Sequence, residues 1–335
     1  MTMQNIMNPP AVLGVGNALV DVMIALPGDD LLQQFNLPRG SMTLVDAILS
    51  WKIYQATHAW QKSMTTGGSA ANTIHTLASL GGKCGYAGKI GDDELGEIFA
   101  REFADKGIAT HFSYSDSGTG RVMAMVSPDS ERTMATCLGA AEELLPEEFS
   151  DALMQPYQYL YVEGYLVQDH RLIETILETG KNNGLSVVID LSSYNVVAQN
   201  RDFLEQLVKR FVDIVFANEE EAQAFTGLPP REAALKIGEM CDIAIVKTGK
   251  TGSLVCHDKE ITEIEPVEAH SIDTTGAGDS YAAGFLYGLT LGLPLSKCGD
   301  IASLVSARTV EFMGAKIPEP EWPELLNKVG TISGR

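Results

Sequence analysis

The sequence predicts an α/β fold in which a mostly parallel sheet is flanked by helices and a small β-sheet forms a lid. Two observations predict the large sheet. Short apolar runs rich in β-branched residues recur along the chain, and amphipathic stretches such as HRLIETILETGKNNG separate them. A third observation predicts the lid: Leu19–Ala25 alternates in polarity, and Thr110–Ala140 resembles a hairpin with polar turns.

The strands of the large sheet are read from five buried apolar runs. They begin at Ala11, Tyr159, Ser186, Asp213 and Asp242. Alternation of strands with helices places such strands in one parallel sheet. We therefore expect a large domain made of residues 1–17, 63–109 and 141–335, and lid segments made of residues 18–62 and 110–140. Exposed strand edges in the lid invite pairing, so we expect a monomer or a homodimer formed through the lid.

Composition and charge exclude several classes of protein. Among the 335 residues, 45% are hydrophobic, which is ample for a large core. The net charge of -20 argues against nucleic acid and against an anionic membrane surface as partners. The five cysteines form no CxxC pair, and the first residues lack the pattern of a signal peptide, so we expect a cytoplasmic protein with reduced thiols.

Two glycine motifs that suggest nucleotide binding are incomplete. GVGNAL has Leu19 where a dinucleotide fingerprint needs its third glycine, and KTGKTGS has Ala244 where a P-loop needs its first glycine. GGSAANTIHTLASLGG is more informative, because Ser69 is a plausible N-cap and the small residues after it permit close approach. Those small residues fit a ligand contact or a tightly packed helix start equally well.

The stretch DTTGAGDS precedes a helix that we expect to begin near Asp279. Free amides of Gly276, Ala277 and Gly278, together with the helix dipole, form an anion site that needs no basic side chain. Asp279 is then either an N-cap or the acid that orients and deprotonates a hydroxyl during phosphoryl transfer. We expect the dipole to lower the pKa of this carboxyl.

Taken together, these residues resemble the ribokinase-like (PfkB) family of carbohydrate and nucleoside kinases. The resemblance covers nearly the whole chain and rests on DTTGAGDSYAAGF, on GGSAANTIHTLASLGGKCGYAGKIGDDELG and on NEEEAQAFTG. It implies a Rossmann-like sheet with a β-lid over the sugar site, and it implies ATP and Mg²⁺. By the same resemblance, Asp279 is the catalytic base and Gly276, Ala277 and Gly278 form the anion hole.

The resemblance also assigns further positions around the donor. Asn218 and Glu221 would act near Mg²⁺ and the phosphates through water. The nucleotide would be held by Thr248, Gly249 and Gly252. A monovalent cation such as K⁺ would be bound through the main chain of Asp273 and Thr275.

Within the family, the sequence is most similar to adenosine kinases, through GNALVDV, ERTMATCLGAA and YVEGYL. Arg132 matches a lid arginine that approaches the transferred phosphate, although a surface salt bridge would explain it equally well. Sugar hydroxyls would be held by Asn17, Asp21, Gly68 and Asn72. The purine would lie between Leu138 and Tyr165.

Three functional hypotheses follow from the sequence. The first is an ATP-dependent kinase that phosphorylates the 5′-hydroxyl of adenosine or a related nucleoside, and its alternative within the family is a kinase for ribose, fructose or a similar small sugar. The second hypothesis is an NAD-dependent dehydrogenase, which only the incomplete GVGNAL motif supports. The third is a nucleotide-binding protein without catalysis, which the presence of Asp279 disfavours.

Overall fold

The computed structural model describes residues 11–129 and 131–335 as one large sheet, one small sheet and surrounding helices. The predicted fold class is confirmed. Residues 1–10 of the predicted large domain and Ser130 of the predicted lid lie outside the described residues. Among the described residues, no helix is both long and apolar enough to span a membrane.

The large sheet has nine strands in the order β14-β13-β12-β11-β10-β9-β1-β5-β6. Neighbours from β6 to β12 are parallel, and the last two strands continue the sheet in antiparallel pairing. The strands span β1 (Val12–Val15), β5 (Cys84–Gly91), β6 (Ala109–Ser115), β9 (Tyr159–Glu163), β10 (Ser186–Asp190), β11 (Ile214–Asn218), β12 (Ile243–Lys247), β13 (Ser253–His257) and β14 (Glu260–Ile264).

Helices cover both faces of this sheet, as the alternation of strands and helices predicts. The helices span α1 (Asp30–Gln34), α2 (Ala47–Thr57), α3 (Ser69–Ser79), α4 (Glu94–Asp105), α5 (Asp151–Met154), α6 (His170–Asn182), α7 (Tyr194–Phe211), α8 (Glu219–Thr226), α9 (Pro230–Ile237), α10 (Ala277–Thr290), α11 (Leu295–Thr309) and α12 (Trp322–Ser333). Because side chains alternate along a strand, Val187 and Ile189 pack towards α6 to α9, whereas Val188 packs towards α3, α10 and α11.

The small sheet has five strands in the order β3-β8-β7-β2-β4. They span β2 (Leu19–Ala25), β3 (Met42–Leu44), β4 (Gln61–Gly67), β7 (Gly120–Val126) and β8 (Arg132–Cys137). Helices α1 and α2 pack on this sheet through an apolar cluster that includes Ile24, Leu32 and Ile53. The hairpin predicted in the second lid segment is formed by β7 and β8.

Two strands belong to a different sheet from the one that the predicted segments suggest. β6 pairs with β5 in the large sheet, although the sequence predicts that residues 110–140 belong to the lid. β4 pairs with β2 in the small sheet, although the sequence predicts that the segment from residue 63 belongs to the large domain. Alternating polarity indicates a strand but does not identify the strand with which it pairs, so it does not predict the sheet that the strand joins. The division into large domain and lid stays a prediction.

Candidate active site

A cleft of about 2440 Å³ lies between the carboxyl ends of the parallel strands and the small sheet. It includes the position where strand order reverses, between β1 and β9, which is where open α/β sheets bind ligands. Of the residues predicted from the sequence, all but Thr248 and Asp273 line this cleft. The fold therefore brings together positions that are up to about 260 residues apart in sequence.

Asp279 is the third residue of α10 and does not cap the helix. Gly276 holds the N-cap position with a φ of 74°, a conformation that favours glycine. The carboxylate of Asp279 instead accepts hydrogen bonds from Ser69 Oγ at 2.8 Å and from Asn72 Nδ2 at 3.0 Å. The expectation that Ser69 is an N-cap is also wrong, since Gly68 precedes the first residue of α3.

The pKa of Asp279 moves in the direction opposite to the expected one. Burial raises this pKa from 3.8 to about 6, and the two hydrogen bonds from Ser69 and Asn72 offset only part of that shift. The dipole of α10 favours the ionised form, but the burial of the carboxylate outweighs it. A carboxyl with a pKa near 6 is a better proton acceptor at neutral pH than an ordinary aspartate.

The loop before α10 leaves backbone amides facing the cleft. The Ala277 amide donates to the Thr274 carbonyl oxygen at 3.2 Å, so this predicted member of the anion hole has a partner. Among the described residues, the amides of Gly278 and Asp279 find no acceptor. A Cβ at Gly276 would lie 2.5 Å from the Cβ of Ala315, so this turn requires glycine for space as well as for its φ angle.

Three residues that the sequence reasoning missed stand at the ends of parallel strands. Glu163 ends β9, Asp190 ends β10 and Lys247 ends β12. All three line the cleft. The signal was present in the sequence, because each is a charged residue that closes an apolar run, and such residues meet at one edge of a parallel sheet.

Glu163 fixes the orientation of Asn17. Its Oε1 accepts the backbone amide of Asn17 at 3.0 Å and the side-chain Nδ2 at 2.6 Å, while its Oε2 accepts the amide of Ala70 at 2.9 Å. Burial raises the pKa of Glu163 to about 7, although these hydrogen bonds oppose the shift. Glu163 uses one of the two N–H donors of Asn17 Nδ2, which leaves Oδ1 and the second donor to meet a ligand.

Asn218 and Glu221 hold each other at the start of α8. The Asn218 amide and its Nδ2 donate to the two Glu221 carboxylate oxygens, and the Glu221 amide donates back to Asn218 Oδ1, all at 2.8 Å. This is a reciprocal capping box. Burial and the nearby Asp190 raise the pKa of Glu221 to about 7. Asp190 in turn pairs with Lys247 at 3.0 Å.

The residues present fit a magnesium ion that is held mainly by phosphates. In residues 11–129 and 131–335, no three His, Cys, Asp or Glu side chains converge as an all-protein metal site. Mg²⁺ bound with a nucleotide needs only one or two carboxylates, because waters and phosphate oxygens supply the other ligands. Asp190, which ends β10, and Glu221, in the first turn of α8 just after β11, meet that need.

Asp21 lies on β2, opposite Thr65 of β4. Burial raises its pKa to about 6, and positive charge on Lys316 and Arg132 opposes the shift. Lys316 was also missed from the sequence, and no local pattern marks it. Its Nζ donates to Thr65 Oγ1 at 2.9 Å, to Thr66 Oγ1 at 2.5 Å and to the Glu102 carboxylate.

Arg132 joins the small sheet to the loop before α10. Its guanidinium donates to the Asp273 carboxylate at 2.5 Å and to the Thr275 hydroxyl. Asp273 also accepts the amides of Gly314 and Thr275, and these bonds with Arg132 keep its pKa low even though burial opposes them. In this conformation, Arg132 therefore contacts the two residues predicted to bind a monovalent cation.

The small sheet contributes a group of apolar side chains to the cleft. Leu138 packs with Leu19, Val122 and Ala141, and the Tyr165 hydroxyl donates to the Ser192 carbonyl oxygen at 3.3 Å. Further apolar side chains that line the cleft from the small sheet are Met23, Met42, Leu44, Ala124 and Met134, and Leu166 lines it from the segment after β9. The exposed fractions of Met42 and Leu44 are 46% and 52%, which leaves large apolar groups open to the cleft.

Several known proteins are similar to this chain in fold and in sequence. A probable sugar kinase from Rhizobium etli CFN 42 matches with a TM-score of 0.86 at 31% identity, covering 97% of this chain and 99% of that chain. The adenosine kinase from Sinorhizobium meliloti matches with a TM-score of 0.85 at 32% identity, covering 96% and 99% of the two chains. The adenosine kinase of Saccharomyces cerevisiae is 26% identical over 93% of this chain and 98% of its own length.

The sequence also matches the family described as pfkB family carbohydrate kinase over residues 45–322, which is most of the chain. The family match, together with the similarity to adenosine kinases, shows a phosphotransferase that acts on a hydroxyl group. The dehydrogenase hypothesis is therefore excluded. The chain belongs to the PfkB family of carbohydrate and nucleoside kinases.

Proposed function

We propose that the protein transfers the γ-phosphoryl group of ATP to the 5′-hydroxyl of adenosine or a related nucleoside. The observation that carries this proposal is the environment of Asp279. Its carboxylate is fixed by Ser69 and Asn72, has a pKa raised to about 6, and adjoins the free amides at the start of α10. A base beside an anion site is what transfer to a hydroxyl requires.

The reaction is an in-line displacement at phosphorus. The acceptor oxygen forms a bond to the γ-phosphorus while the bond to the bridging oxygen breaks, and ADP leaves. Asp279 takes the proton of the hydroxyl. The amides of Gly278 and Asp279 stabilise the charge on the moving phosphoryl group, together with the dipole of α10.

The polar residues next to Asp279 provide a place for the sugar. Oδ1 of Asn72 is buried without a hydrogen-bond partner among the described residues, although its Nδ2 is held by Asp279. Oδ1 of Asn17 is likewise left available by Glu163, and the carboxylate of Asp21 lies in the same cleft. Acceptor atoms of this kind suit the hydroxyl groups of a ribose.

The nucleotide and its metal ion have their own candidate contacts. Bound Mg²⁺ would neutralise phosphate charge, and Glu221 with Asp190 would meet its water ligands. Gly249 and Gly252 border the same cleft near the end of β12. Asp273 and Thr275 remain proposed K⁺ ligands through their main chain, and Arg132 remains a proposed contact of the transferred phosphate.

A nucleoside is favoured over a free sugar by the apolar side chains that line the cleft. A sugar alone would leave Leu138, Met134 and Leu44 facing water, whereas a purine would cover them. Two similar proteins are adenosine kinases, which supports the same choice. The probable sugar kinase of Rhizobium etli supports the alternative, a small-sugar kinase with the same chemistry.

The test is ADP release from Mg-ATP with adenosine, inosine, ribose and fructose as acceptors. We expect turnover with adenosine and the lowest KM for a nucleoside. Turnover with ribose or fructose alone would overturn the nucleoside assignment and leave the phosphotransfer intact. The variant Leu138→Asn places a polar group where the purine is proposed to bind, so it is expected to raise the KM for adenosine and to leave the KM for ATP unchanged.

A further inference from the structure

We propose that Lys247 is a catalytic residue that binds the γ-phosphoryl group during its transfer. This inference rests on the proposed function, because it assigns a contact to the phosphoryl donor. The sequence predicts that the loop before α10 is an anion site without a basic side chain. The structure places an ammonium group next to that loop.

The position of Lys247 follows from the order of the strands. It ends β12, in register with Asn218 at the end of β11, so its side chain emerges at the carboxyl edge of the sheet. A Cβ built on Gly278 would lie 3.1 Å from Nζ of Lys247. The ammonium group therefore occupies the space that a side chain at Gly278 would fill, directly against the loop whose amides are free.

The hydrogen bonds of Lys247 are incomplete. A lysine ammonium group has three N–H donors. Within the described residues, one of them is used, in the 3.0 Å contact with Oδ2 of Asp190. The exposed fraction of the Lys247 side chain is 14%, so little water reaches it, and donors left unmade at such a position are costly. Oxygens of a ligand in the cleft would satisfy them.

The charges around Lys247 point to an anionic ligand that carries its own cation. Three acids face the ammonium group: Asp190, Glu221 and Asp279. The pairing with Asp190 uses one donor of the ammonium group and leaves the other two for a ligand. A phosphoryl oxygen between Nζ of Lys247 and the amide of Gly278 would use both groups, and lysine is a common phosphate ligand as a point charge.

The test compares two nucleotides that differ in the γ-phosphate. Binding of Mg-ADP and of the Mg complex of the β,γ-methylene analogue of ATP is measured by calorimetry for the wild type and for Lys247→Met. We expect Lys247→Met to weaken binding of the ATP analogue by about 10- to 100-fold more than binding of ADP, the loss typical of one charged hydrogen bond. Lys236→Met removes the same charge from an exposed position on α9 and should leave both affinities unchanged.

A second variant separates the phosphate contact from the pairing with Asp190. Asp190→Asn with Lys247→Met removes both charges, so no unpaired buried carboxylate threatens the fold, and it should lose the preference for the ATP analogue like the single variant. Because Asp190 is also proposed to meet the water ligands of Mg²⁺, this variant should in addition bind both Mg-nucleotides more weakly. An equal loss for both nucleotides in these two variants would overturn the inference. So would a wild type that binds ADP and the ATP analogue equally, since no γ-phosphate contact would then exist.

This measurement uses no acceptor, so it is independent of the choice between nucleoside and sugar. If adenosine is not phosphorylated but Lys247→Met still loses the preference for the ATP analogue, the proposed acceptor fails and the role of Lys247 stands. If adenosine is phosphorylated and the preference persists in Lys247→Met, the role of Lys247 fails and the proposed function stands.

Discussion

Asp279→Asn tests the central claim about the site, because it removes a charge while keeping the shape of the side chain. In the wild type, two donors hold the two carboxylate oxygens, Ser69 Oγ and Asn72 Nδ2. An asparagine retains one acceptor oxygen, and its amide group meets one of the donors. The hydroxyl of Ser69 is able to rotate and accept, so the local structure should survive.

The substitution has an expected magnitude for activity and for stability. Loss of a general base lowers kcat by about 10²–10⁴-fold. A pKa raised from 3.8 to about 6 means that the ionised carboxylate costs the folded state about 3 kcal/mol relative to the unfolded chain above pH 6. Deducting about 1 kcal/mol for one lost hydrogen bond, Asp279→Asn should be more stable than the wild type by about 1–2 kcal/mol at pH 8.

The assay is ADP release from Mg-ATP with adenosine, beside thermal unfolding at pH 8. Asp202→Asn removes one carboxylate from an exposed position on α7 and serves as the control, with kcat and Tm expected to be unchanged. In the wild type, kcat/KM should fall as the pH drops below about 6, because Asp279 must be ionised to accept the proton. Full activity in Asp279→Asn, or loss of stability in it, would refute the reasoning.

Three other predictions concern the loop, the buried acids and the acceptor site. Gly276→Ala should cost about 2–3 kcal/mol in chemical denaturation, because its φ is 74° and Ala315 fills the space; Gly292→Ala, with a φ of 68° and open space, should cost less. Equal costs would contradict the crowding at Ala315. Thermal unfolding should show Tm falling as the pH rises from 5 to 8, because several acids have a higher pKa in the folded state than in the unfolded state. The stability that these acids give is fully present below their unfolded pKa and is lost as the pH rises through their folded pKa. The acids responsible are Asp21, Glu163, Glu221 and Asp279, with pKa values of about 6 to 7. A Tm that rises over that range would show that other groups dominate. Lys316→Met should raise the KM for adenosine about tenfold at pH 7 with the KM for ATP unchanged, because Asp21 loses the cation that favours its ionised form; a lower Tm without that change in KM would make Lys316 purely structural.

Elements with a strong local pattern were predictable from the sequence. SVVIDL became β10, and DIAIVK became β12, since burial on both faces of a parallel sheet demands continuous apolar runs. β6 and β4 lack such a run. Polar residues interrupt their sequences, ATHFSYS and QKSMTTG, so no continuous apolar pattern indicates which sheet each strand joins.

The site was predictable where one short segment builds it. DTTGAGDS contains both the turn and the acid, so Asp279 could be placed next to the anion site from the sequence alone. Lys247 and Asp190 could not be paired in this way, because only the adjacency of β10, β11 and β12 brings two strand ends together. The pKa of Asp279 was misjudged for the same reason, since the burial that raises it exists only in the folded protein, where the carboxylate contacts Ser69 and Asn72, about 200 residues away in sequence.

The excess of acids over bases at the carboxyl edge has a physical consequence for the free protein. Asp190, Glu221 and Asp279 face a single ammonium group, and the raised pKa values of Glu221 and Asp279 express the repulsion and the loss of hydration that result. A sheet edge chosen for stability alone would hold fewer carboxylates. Functional sites keep residues that destabilise the fold, because the reaction needs them. The cluster is therefore more consistent with a site that a cation-bearing ligand completes than with a structural ion network. Lys247 then neutralises part of the cluster before the ligand arrives and contacts the ligand afterwards.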